Sequence, residues 1–162
     1  MTIGLVPEAQ EVSGLTDPRG VVETFLYALS KDDIATAEAL LDDDVAWVNV
    51  GLPTLRGKRR VMKTLAPMAR FGECFEVYLH RVGTDGASVL TERTDVLKFG
   101  PVRLQFWVWG RFDVHDGRIT LWRDSFDTVD FLRSLVRGLA GAVIPVLRPK
   151  APASATAAPG RH

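Results

Sequence analysis

Only one of the 162 residues is cysteine, and the chain has no net charge. A lone Cys74 excludes an intramolecular disulfide, and with it the small disulfide-built secreted domain. The 20 basic and 20 acidic residues cancel, which removes the electrostatic reason to expect nucleic acid as a partner. No stretch reaches the roughly 18 uncharged apolar residues of a spanning helix, so stable membrane insertion is not expected. The first residues include Glu8, Glu11 and Asp17 and lack an uninterrupted apolar run. A secretory signal is therefore not expected, and the expected address is the cytoplasm. His80 and His115 stand at no metal-ligand spacing and are read as structural or surface residues. Cys74 is read as a small apolar filler.

What remains is 46% hydrophobic and 25% charged, ordinary for one soluble domain able to bury a core. Residues 1–17 have weak periodicity and read as a loose arm. Asp17-Pro18 is a helix start, with Asp17 as N-cap and Pro18 in the first turn. Val21, Val22, Phe25, Leu26 and Leu29 then recur at helical spacing. A second helix is predicted over about 32–41, closed by the acidic run Asp42-Asp43-Asp44, which reads as a solvated connection. A strand follows at Val45 to Val50, then a basic helix over 57–70 with Val61, Leu65 and Met68 on its apolar side. Strands are predicted at about 74–82, 87–98, 102–114 and 117–125, separated by turn signals such as His115-Asp116-Gly117. A last helix is predicted over about 128–143, and the Ala/Pro-rich segment from Pro149 to His162 is read as disordered. Helices, then antiparallel strands, then a helix argue an α+β fold with helices on one face of a curved sheet.

Residues two apart share a face of a strand. By that rule Trp47 and Asn49 share a face. Val89, Thr91, Arg93, Asp95 and Leu97 share another, and Thr120, Trp122 and Asp124 a third. Val102, Leu104, Phe106, Val108, Phe112 and Val114 form a nearly unbroken apolar face. If that face lines the same concavity, the charged residues stand in an apolar cavity and need mutual pairing. One arginine between two aspartates meets that need, leaves one net negative charge, and makes the acids titrate apart as a coupled pair. That arrangement is a general acid beside a general base. Spacing alone leaves other readings open: Arg93-Asp95 as an ordinary ion pair, Asp124 as a turn or helix-start residue, Asn49 as a backbone partner.

The segments Thr91-Glu92-Arg93-Thr94-Asp95-Val96-Leu97 and Gly117 to Asp127, with Trp47-Val48-Asn49 ahead of Leu52-Pro53, resemble the limonene-1,2-epoxide hydrolase family, its actinobacterial members especially. The resemblance runs from about residue 18 to 147. It implies a single catalytic domain over 18–148 with the cone-shaped nuclear transport factor 2-like fold: a curved mixed sheet of about 5–6 strands with three to four helices. It also implies a homodimer and hydrolysis of an epoxide to a vicinal diol in one step, with neither metal nor cofactor. Asp124 would be the base that takes a proton from water, Asp95 the acid that protonates the epoxide oxygen, and Arg93 the bridge between them. Asn49 would hold the water. Where the family carries a tyrosine this chain has Trp47, whose indole N–H donates and cannot accept. The many apolar residues favour a lipophilic substrate, a terpene, sterol or fatty-acyl epoxide.

Two other readings use the same fold. One is a ketosteroid isomerase-like or polyketide cyclase-like enzyme, which gives no reason for an arginine clamped between two aspartates. The other is a lipophile-binding dimer without turnover, which Trp47 keeps open. Trp107, Trp109 and Arg111 alternate on the outward face of their strand and read as an interface or helix contact. The stripe of the last helix, Phe131, Leu132, Leu135, Val136, Leu139 and beyond, reads as a pocket lid or dimer contact, with a membrane-surface helix as the alternative. Gly138 and Gly141 weaken that helix, each by about 1 kcal/mol relative to Ala, which would suit a mobile pocket wall.

Overall fold

A computed structural model describes residues 16–69, 74–152 and 156–157. Helix α1 (Pro18–Ser30) begins at Asp17, whose carboxylate accepts the Gly20 N–H at 2.9 Å, and its periodic apolar residues are all buried. Helix α2 (Ile34–Ala39) is shorter than the spacing predicts. Asp33 caps it, accepting the Thr36 N–H at 3.0 Å. Leu41 leaves the helix because a strand competes for it: the Ile119 N–H donates to the Leu40 carbonyl at 2.8 Å, and Leu41 pairs with Ile119. The acidic run is therefore not the closure of a helix. Asp42–Asp44 lies inside strand β1 (Leu41–Asn49), where the register jumps from Leu41↔Ile119 to Ala46↔Leu121. Its solvated character holds: Asp43 is exposed and meets Lys58 at 2.7 Å.

Strand β2 (Leu55–Arg56) and helix α3 (Lys58–Ala69) come next. Strands β3 (Phe75–Asp85), β4 (Ser88–Phe99), β5 (Val102–His115) and β6 (Arg118–Ser125) then form an antiparallel meander, followed by helix α4 (Thr128–Val143). The β5–β6 turn places Asp116 and Gly117 at φ of 51° and 71°, the mirror-image turn that matches strand twist. Strand β1 lies parallel to β6, so the sheet is mixed, with order β2-β1-β6-β5-β4-β3-β7. Strand β7 (Thr156–Ala157) pairs with Tyr78 and Leu79 inside the segment read as disordered. Residues 153–155 and 158–162 of that segment, and residues 1–15 of the expected arm, lie outside the described residues.

One face assignment changes. Thr120 is the extra residue of a bulge, because the pairing with β5 steps from Asp113↔Leu121 to Val114↔Ile119. The alternation slips there by one, so Ile119 joins Trp122 in the core while Thr120 donates to the Asp113 carbonyl at 3.2 Å.

The core lies between α1–α3 and the sheet. Phe25 meets Phe112 and Trp122 edge-on, with centroids 6.3 and 5.0 Å apart, and is fully buried. Phe25→Ala should cost about 3–5 kcal/mol of unfolding free energy, read from its urea midpoint. Helix α4 packs on β5 through small residues: Ser134, Gly138 and Gly141 are its buried positions. A Cβ on Gly138 would sit 2.7 Å from the Arg103 carbonyl oxygen. Both glycines thus have a packing reason: Gly138 lets the helix approach β5, and Gly141 packs against Arg148. No helix among the described residues is long and apolar enough to cross a membrane.

Candidate active site

The registers put residues from four strands in one lateral row: Thr91 on β4, Gly110 on β5, Asp124 on β6 and Asn49 on β1. Arg93 and Asp95 follow Thr91 on the same face of β4. Gly110 leaves open the space between Thr91 and Asp124, and the Arg93 guanidinium fills it. A Cβ on Gly110 would collide with Arg93 Nη1 and Thr91 Oγ1. Sequence reasoning missed Gly110, although a signal existed: it is the one gap in the inward apolar series of its strand.

Arg93 is the largest fully buried side chain among the described residues, and each of its terminal nitrogens has a partner. Nε donates to Asp95 Oδ1 at 2.8 Å and Nη2 to Asp95 Oδ2 at 3.2 Å. Nη2 also meets Asp124 Oδ2 at 2.7 Å, and Nη1 donates to Thr91 Oγ1 at 3.1 Å. The Phe112 ring centroid lies 5.9 Å from the guanidinium carbon. Burial works against the Arg93 charge, but the carboxylates of Asp124 and Asp95 more than offset it and hold its pKa above the usual value. Asp124 Oδ2 accepts a second hydrogen bond, from Trp122 Nε1 at 2.8 Å. Its other oxygen, Oδ1, is buried without a partner among the described residues.

Burial pushes the Asp95 carboxyl up to about 6; the Arg93 charge pulls it down and the Asp124 charge pushes it up again. Its folded-state pKa therefore exceeds the unfolded value of 3.8. The associated stability is full below the unfolded pKa and is lost as pH rises through about 6. Urea midpoints at pH 4 and pH 7 test this. The parent should lose stability relative to Asp95→Asn across that interval, and parallel profiles would refute it.

Asp95 and Asp124 face a cavity of about 240 Å³ lined mainly by apolar side chains, among them Leu65, Leu97, Phe106, Val108 and Phe131. Trp47 and Asn49 line it too. The structure thus brings all five sequence-selected residues together. Trp47 stacks on Trp122, with centroids 4.5 Å apart and planes at 14°, and its indole N–H is buried without a partner among the described residues. His80 lies outside the cavity lining: it stacks on Trp107 at 4.3 Å and shares a hydrogen bond with Thr94 Oγ1 at 2.8 Å. His115 is exposed and Cys74 buried.

Fold and site together define a small α+β protein whose curved sheet carries a buried arginine between two aspartates at an apolar cavity. More narrowly, the chain belongs to the limonene-1,2-epoxide hydrolase family, whose catalytic-domain model matches residues 16–137. It is 54% identical over 128 residues to epoxide hydrolase EphG of Mycobacterium tuberculosis, covering 78% of this chain and 85% of that protein. It superposes with a TM-score of 0.78 on the structure of an M. tuberculosis LEH-like epoxide hydrolase, at 48% identity, covering 85% of this chain and 98% of the other. A SnoaL-like protein structure from Shewanella putrefaciens shares the fold, with a TM-score of 0.65 at 13% identity, covering 86% of this chain and 98% of the other.

Proposed function

We propose that this chain is an epoxide hydrolase that adds water to a lipophilic epoxide in one acid–base step. The observation that carries this is a buried arginine bridging two carboxylates, one with a free acceptor oxygen and the other with a raised pKa. Asp124 Oδ1 accepts a proton from water as the water oxygen bonds to a ring carbon. The opposite C–O bond breaks, and its oxygen takes the proton of Asp95. After the diol leaves, the proton on Asp124 resets Asp95. A strained ether still leaves poorly as an alkoxide, so protonation in step with attack matters, each proton transfer contributing roughly 10²–10⁴-fold. Arg93 stabilises whichever carboxylate is charged and fixes both in place.

Trp47 and Asn49 position the water. The unpartnered Trp47 N–H suits the water oxygen, while Asn49 and Asp124 Oδ1 accept its protons. The apolar lining suits a lipophilic substrate, a terpene, sterol or fatty-acyl epoxide, over a polar one. Leu90, Trp107 and Trp109 are exposed on the outer face of the sheet and suit a homodimer contact. Action in the cytoplasm accords with the composition.

The test is a single turnover in H₂¹⁸O with a panel of lipophilic epoxides. Direct attack by water labels the diol in that first turnover. A diol unlabelled until later turnovers would overturn the one-step reading in favour of an ester intermediate. Epoxide binding without diol would establish the binding-protein reading, with Trp47 in the water's place.

A further inference from the structure

Helix α4 is reversed relative to an ordinary amphipathic helix. Its buried positions are small residues, Ser134 and Gly138 against β5 and Gly141 against Arg148, while most of its aliphatic residues face outward. Val129, Leu132, Val136, Leu139, Val143 and Val146 are each more than half exposed, Val143 at 82% and Val146 at 85%. Their spacing of three and four residues sets them in one stripe along the helix and its following turn. An apolar strip this long exceeds what a monomer surface ordinarily leaves open.

The charge around the stripe is mostly basic, with Asp127 and Asp130 at the start of the helix. From Phe131 to Pro152 the chain has no acidic residue and four basic ones, Arg133, Arg137, Arg148 and Lys150. A second copy packed on the stripe would set four cations of each copy against two acids, Asp127 and Asp130, both at the helix start, and leave cations unpaired. An anionic bilayer complements both features, with aliphatic side chains entering the acyl boundary and arginines and lysine meeting phosphates. We infer that α4 is a peripheral docking surface for anionic phospholipid membranes, binding reversibly without spanning the bilayer. The same helix gives Phe131 to the cavity wall, so docking sets the cavity beside the phase in which a lipophile dissolves. The docking inference does not depend on the hydrolase reading, since it rests on residues outside the acid–base site.

Flotation with vesicles of phosphatidylcholine, alone or mixed with phosphatidylglycerol, tests it. The full chain should bind the anionic vesicles at least about tenfold better, and high salt should remove that preference. The triple variant Leu132→Ser/Val136→Ser/Leu139→Ser should lose binding about tenfold, with its circular dichroism unchanged. Arg133→Glu/Lys150→Glu should lose the anionic preference at undiminished diol formation. Equal binding to both vesicle types, or none, overturns the inference. So does a triple variant whose mass in sedimentation is half that of the parent, which would assign the stripe to a second copy.

Discussion

Asp124→Asn should remove at least about 10²–10⁴ of kcat/KM while the protein keeps its fold. The amide has the size of the carboxylate, and its oxygen can still accept from Arg93 Nη2 and Trp122 Nε1, the two donors that now hold Oδ2. What it cannot do is take a proton, and its NH₂ would point a donor where the parent has the unpartnered acceptor Oδ1. A second readout separates this from a folding defect. The Asp124 charge is one of the groups that raises Asp95, so neutralising it should lower the Asp95 pKa below about 6, measurable from its carboxyl carbon shift. Full turnover with an unmoved Asp95 titration would remove Asp124 from the mechanism and separate it electrostatically from its neighbour.

Gly110→Ala is expected to damage stability and activity together. The Arg93 guanidinium is the end of a flexible side chain, but its pairing with Asp95, Asp124 and Thr91 holds it in place. Moving it aside for a methyl group breaks part of that network and leaves buried carboxylate charge uncompensated, at a cost of about 3–5 kcal/mol. Activity should fall at least about 10²-fold, because Asp95 and Asp124 lose their common bridge. Gly83→Ala is the control. It changes a strand glycine that has open space where its Cβ would stand, and should alter the urea midpoint by no more than about 0.5 kcal/mol. Equal effects from the two variants would show that the gap over β5 is not what seats the arginine.

The sequence made much of this legible because several signals are local. The Asp17-Pro18 start, the Asp116-Gly117 turn and the alternation through Arg93 and Asp95 each depend on neighbouring residues, and each is realised. What failed depends on distant partners. Asp42–Asp44 read as a loop because acidic runs are usually solvated; the run is still solvated, yet the parallel pairing of β1 with β6 draws it into a strand. Thr120 was misplaced because a bulge defeats a period of two. Gly110 carries no side chain to attract notice, and its meaning depends on an arginine from the next strand. The stripe of α4 is visible in the sequence, but periodicity cannot say which side of a helix meets the protein.

The parallel pairing of β1 and β6 also orders the assembly of the site in time. Thr91, Arg93, Asp95, Gly110 and Asp124 all belong to the β3–β6 meander, whose hairpins close short loops. Trp47 and Asn49 join only when β1 docks beside β6 across a long stretch of chain, a contact with a larger loop-closure cost. The ion cluster is therefore expected to form before the wall that carries Trp47 and Asn49. Substitutions in β1 should accelerate unfolding, and those in the meander should slow folding.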